Sequence, residues 1–166
     1  IMTMEDLKLE GQADRLGTLL TAIVADGPNG KEYRLPTDFE IDTAIVSQRD
    51  LENCFSSITF GNTHERLVED AKRNTWCVQY GVDEFSKLFT SRQQLTLGTL
   101  IDTARKAERE YHTCGLDAAW SEALTGYIGC AINRFADRGS VVTTWQTNAE
   151  KLGHTFARWA IPMAWD

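Results

Sequence analysis

Four cysteines, Cys54, Cys77, Cys114 and Cys130, and three histidines, His64, His112 and His154, are the side chains here best suited to hold a metal or act as nucleophiles. Structural zinc sites bring their ligands in close pairs. No two of these cysteines stand as Cys-x-x-Cys, and no two histidines lie three to five residues apart. The spacing argues for four reduced structural thiols, free cysteine being among the most buried residue types. His112 lies two residues before Cys114 and could activate it, but nothing nearby would orient the imidazole. The carboxylate pairs Asp38/Glu40 and Glu108/Glu110 are two residues apart, which on a helix points them to different faces and spoils them as an acid and base pair. A dinucleotide-binding glycine fingerprint, a phosphate loop, a Gly-x-Ser-x-Gly elbow and a His-Glu-x-x-His pair are all missing. No catalytic, cofactor-binding or metal-ligating residue is therefore assigned.

The elements that would carry these side chains are legible mainly through their caps. Thr37 and Glu40 form a capping box, which predicts a helix over 38–49 with Ile41, Ala44 and Ile45 on its apolar side. Thr90 and Gln93 form another, opening a helix over 91–112 on which Leu97, Leu100, Ile101 and Ala104 make one stripe, and Gly115 stands at the stop. Asp117 caps a third helix, with Trp120, Leu124, Tyr127, Ala131 and Phe135 along one face and Gly139 at its end. Gly126, Gly129 and Cys130 leave a smooth strip that would admit a neighbouring helix closely. The last two helices are expected to pack as an antiparallel hairpin over 85–140.

Ahead of them, LGTLLTAIVAD (16–26), a Pro-Asn-Gly turn and KEYRL predict a β-hairpin whose first strand is partly buried on both faces. Residues 50–83 are the least legible, with SSITFGN turn-like and THERLVEDAKRN weakly helical. Residues 141–166 form a tail rich in aromatics, Trp145, Phe156, Trp159 and Trp165, interrupted by Pro162, of the kind that usually needs a partner surface. The expectation is one α+β, mainly helical domain over 1–166: hairpin plus helix in 1–50, helical hairpin in 85–140, aromatic tail in 141–166.

The 166 residues carry a formal net charge of −7. Residues 1–84 hold eight Lys or Arg against sixteen Asp or Glu, while 85–166 hold nine against eight. That distribution disfavours a self-sufficient high-affinity DNA-binding module and leaves only the second half eligible for phosphate contacts. No run approaches the roughly 18 apolar residues of a membrane span, and the opening IMTMEDLKLE is acidic where a signal peptide is basic. The expectation is a soluble, cytoplasmic chain with no membrane partner.

Four segments, GKEYRLPTDFE (30–40), VQYGVDEFSKLFTSRQQLTLGTLID (78–102), GYIGCAINRFADRGS (126–140) and HTFARWAIPMAWD (154–166), resemble in order the adenine-specific DNA methylases that contain a zinc ribbon. The Leu-Phe-Thr-x-Arg-Gln run at 88–93 and the closing Ile-Pro-Met-x-Trp-Asp at 161–166 are its most specific parts. The resemblance implies an internal segment of a larger methylase, lying between a glycine-rich loop that binds S-adenosylmethionine and an Asp-Pro-Pro-Tyr tetrapeptide that holds the flipped adenine. Neither motif is in this chain. It further implies that the zinc-ribbon cysteines lie upstream, that S-adenosylmethionine serves the whole enzyme and not this segment, and that the partners are the rest of the methylase and double-stranded DNA. The chain departs from the family at Arg158-Trp159 and Gly139-Ser140, where Arg-Gln and Asn-Ser are usual. Two roles follow: a DNA-positioning element, or a structural insert whose helices and aromatic tail brace the methylase fold. The expected DNA contacts are Arg92 and Gln93 at a helix start, Arg134 and Arg138 near a helix end, and Arg158.

Overall fold

The computed structural model describes residues 2–58, 64–67 and 76–156. The architecture is α+β, as expected. It opens with a helix the sequence reading missed, α1 (Met4–Gln12), started by a reciprocal cap in which the Thr3 hydroxyl accepts from the Asp6 amide and the Asp6 carboxylate accepts from the Thr3 amide. The hairpin follows as β1 (Ile23–Gly27) and β2 (Gly30–Arg34), antiparallel from Ile23↔Arg34 to Gly27↔Gly30. Gly30 has φ 120°, a conformation open to glycine in this tight turn. Strand pairing begins at Ile23 instead of Leu16, because Pro36 stands just beyond β2 and cannot donate to a longer ladder. Nor is β1 buried on both faces: Val24, Ala25 and Asp26 are exposed.

The helix expected over 38–49 is two. The Thr37/Glu40 box starts α2 (Asp38–Thr43), which stops, and α3 (Gln48–Ser56) restarts behind Ser47. Ser47 accepts from the Asp50 amide at 3.2 Å and donates to its carboxylate at 2.6 Å. That second cap, after the β-branched pair Ile45-Val46, competes with continuing the helix and wins. Residues 64–67 are extended and not helical: Leu67 donates to the Asp83 carbonyl at 2.8 Å and Phe85 to that of Glu65 at 3.1 Å. The rest of THERLVEDAKRN that was expected to be helical lies outside the described residues, as does most of SSITFGN.

Helix α4 (Ser91–Thr113) starts at the Thr90/Gln93 box and α5 (Ala118–Arg138) at Asp117, whose carboxylate accepts from the Ala119 amide at 2.9 Å. They pack antiparallel, joined through Gly115 at φ 77°. The faces differ from expectation. Ser121 of α5 is buried and Thr125, Ile128, Ile132 and Ala136 are half-buried, whereas Trp120, Tyr127 and Phe135 are exposed. The small-residue strip is not the contact either: a Cβ on Gly126 or Gly129 would meet nothing. Close approach occurs at Gly98 of α4, where α3 crosses and a Cβ would lie 2.7 Å from Cys54 Sγ.

The start of the expected tail is integral to the fold. Short strands β3 (Trp145–Gln146) and β4 (Lys151–Leu152) pair antiparallel, and Tyr33 of β2 meets Trp145 edge-on with ring centroids 6.1 Å apart. The main buried cluster is Leu67, Cys77, Leu88 and Val142, flanked by Val78, Val82, Phe85, Phe89 and Val141. Two 3-10 turns, Trp76–Tyr80 and Ser86–Leu88, deliver Cys77 and Leu88, its two fully buried members. Trp159, Pro162 and Trp165 lie outside the described residues. No helix among the described residues is long and apolar enough to cross a membrane.

Candidate functional site

Antiparallel packing sets the first turn of α4 beside the last turns of α5, and the Val141 amide donates to the Leu88 carbonyl at 2.8 Å to tie the two approaches together. Arg92 and Gln93 at the start of α4 and Arg134 and Arg138 near the end of α5 therefore lie toward the same, open end of the hairpin. Arg92 and Arg134 are exposed, and among the described residues neither is joined to a carboxylate by an ion pair. Gln93 is spent on the cap: its side-chain oxygen accepts from the Thr90 amide at 2.8 Å. Arg158 lies outside the described residues.

Arg138 has local work. Its Nη1 donates to the Leu152 carbonyl, and Nη2 lies 3.2 Å from Nε2 of His154, whose Nδ1 lies 2.5 Å from the Asp137 carboxylate. A guanidinium can only donate, so Nε2 accepts and Nδ1 carries the proton given to Asp137. The His154 bond, followed by the Phe156 amide, holds the Asp137 carboxyl below its usual range. Beneath this cluster Thr155 is fully buried, its hydroxyl donating to the Asp137 carbonyl at 2.8 Å and lying 2.8 Å from Ser140 Oγ. The end of α5 thus clasps residues 152–156, and Arg138 is part of the clasp.

A second feature had no signal in the sequence. An open cavity of about 1070 Å³ lies between α3 and the start of α4, with Leu51, Phe55 and Ile58 on one wall and His64, Glu84 and Lys87 on another. His64 Nδ1 is 3.0 Å from Glu84 Oε2, and this bond draws the Glu84 carboxyl below its usual range. The two are twenty residues apart in sequence, joined by the Arg66↔Glu84 bridge, a contact no local pattern announces. A carboxylate-oriented imidazole can serve as a base. Lys87 is held chiefly by Asp83 at 3.0 Å and raised above its ordinary value by that bond.

The thiols divide. All four are free thiols, but the burial that a structural role rests on is uneven: Cys77 is fully buried, and burial pushes it up, Cys54 is half-buried, and Cys114 and Cys130 are exposed. Among the described residues no three His, Cys, Asp or Glu side chains group as a metal site. No protein-family model, curated protein or solved structure matches the chain.

Proposed function

We propose that this chain is an internal, non-catalytic segment of a cytoplasmic, adenine-specific (N6), S-adenosylmethionine-dependent DNA methyltransferase, and that the open end of its helical hairpin positions duplex DNA. The resemblance in the four ordered segments supports the parent activity. The observation that carries the DNA role is that Arg92, in the first turn of α4, and Arg134, in the last turns of α5, stand toward the same end of the hairpin, both exposed and neither neutralised by a carboxylate among the described residues. Arg92 also sits in the first turn of a 23-residue helix, where backbone amides and the helix dipole favour a phosphate. Arg138 supports the loop behind this end and does not read DNA itself. The residues of the cofactor loop and of the Asp-Pro-Pro-Tyr tetrapeptide are absent from the sequence, so no step of methyl transfer is assigned to these side chains.

Fluorescence anisotropy of a labelled duplex tests the role. The chain is expected to bind weakly and with little sequence preference, and Arg92→Ala and Arg134→Ala should each lower affinity and reduce the slope of log K against log salt by about one. If both variants bind as the parent chain does, the hairpin end does not contact DNA and the bracing role stands instead.

A further inference from the structure

The outward face of α5 is a feature that the DNA role leaves unused. At 100° per residue, Trp120, Ala123, Leu124, Tyr127, Ala131 and Phe135 fall within an arc of about 120°. All are exposed, Trp120 by 66% and Tyr127 by 74%. The three aromatic rings alone present on the order of 400 Å². With the smaller side chains between them, the patch still falls short of the roughly 800 Å² that each partner contributes to a standard interface, the size of a weak, reversible association.

We propose that this face pairs with the same face of a second copy of the chain, antiparallel, about a two-fold axis at Tyr127. The charges select that occupant and that direction. Along the arc the charged groups are the Asp117 carboxylate at its amino end and, near its carboxyl end, the exposed Arg134 guanidinium and Arg138, the latter held by the Leu152 carbonyl and His154. Parallel pairing would set Arg134 against its own copy. Antiparallel pairing about Tyr127 instead sets Trp120 opposite the partner's Arg134, a cation–π arrangement, with Asp117 one turn beyond. The same register sets Ala123 opposite the partner's Ala131, small residues that let the helices approach, and Leu124 opposite the partner's Cys130. Helix dipoles are also opposed in this direction. A guanidinium stacked by its face keeps edge N–H groups free for a phosphate, so the pairing leaves the DNA reading possible. Arg92 lies on the other helix and outside the pairing, so its substitution tests that reading alone.

Sedimentation velocity of the full chain from 1 to 100 μM decides the matter. A reversible monomer–dimer equilibrium is expected in that range. Tyr127→Glu should weaken it at least tenfold while the circular dichroism spectrum stays unchanged, the side chain being mostly outside the fold. In a Cys114→Ser/Cys130→Ser background, Tyr127→Cys should oxidise to a disulfide-linked dimer, because the two-fold axis brings position 127 against itself. A chain that stays monomeric throughout, as when its own residues 157–166 or an unlike protein cover the face, overturns the proposal. A dimer indifferent to Tyr127→Glu, or one that fails to cross-link at position 127, does so equally.

Discussion

Gly98 sits in the interior of α4, where glycine is a poor choice on its own account: alanine there would gain about 1 kcal/mol of helix propensity. The crossing of α3 opposes that gain. A Cβ at position 98 would stand 2.7 Å from Cys54 Sγ, against 3.4 Å from Phe55 Cζ and 3.6 Å from Ile58 Cδ1, so only the sulfur is in conflict. Overpacking of this kind costs about 1–3 kcal/mol, and Gly98→Ala alone should therefore destabilise by about 1 kcal/mol net. Removing the sulfur removes the conflict. In a Cys54→Ala background, itself less stable, the same substitution fills the vacated space and keeps its propensity gain, so it should stabilise by about 1 kcal/mol. Urea melts of the four proteins give the coupling, expected at about 2 kcal/mol. Equal effects of Gly98→Ala in the two backgrounds would show that α3 does not cross α4 at this point.

Leu88 is fully buried at the centre of the apolar cluster, and Leu88→Ala should cost about 2–5 kcal/mol in the same melts. Arg34 grips Glu40 with two bonds of 2.7 and 2.8 Å and, with the Thr37 amide and hydroxyl, lowers its pKa from 4.5 to about 2. The folded value lies below the unfolded one, so this grip contributes fully above pH 4.5 and fades as pH falls towards 2; Glu40→Gln should flatten the stability–pH curve across that interval.

What could be read from the sequence was what is decided locally. Thr37 with Glu40, Thr90 with Gln93, and Asp117 before an apolar run are reciprocal or single caps whose partners lie within three residues, and all three formed. The same logic explains the miss at Ser47: a cap in the middle of a plausible helix outweighed the periodicity of Ile41, Ala44 and Ile45. The orientation of α5 failed for a different reason. Both of its sides are apolar or small, and the pattern alone could not tell whether Trp120 and Tyr127 or Ile128 and Ile132 face α4. Packing against α4 chose the smaller residues. The central cluster was illegible because Leu67, Cys77, Leu88 and Val142 belong to short turns and extended pieces without periodicity, brought together only by contacts distant in sequence.

Net charge, the strongest sequence argument against DNA, changes meaning once the partners are known. Six Lys and Arg of residues 1–84 are described, and five of them, Lys8, Arg15, Lys31, Arg34 and Arg66, are held by carboxylates of the same half. The acidic half thus consumes its own cations and keeps its surplus of negative charge, which repels phosphate. In the second half Lys87 and Lys106 are likewise paired, and Arg138 is committed to Leu152 and His154. Among the described residues Arg92 and Arg134 have no ion pair and stand at the hairpin end, while Arg109 and Lys151, likewise without one, lie elsewhere. At physiological salt a charge is felt over about 8 Å, so what matters to a phosphate is the local balance at that end and not the total of −7. On the proposed DNA role, a duplex would be turned away from the first half and would meet Arg92 and Arg134 where α4 begins and α5 ends.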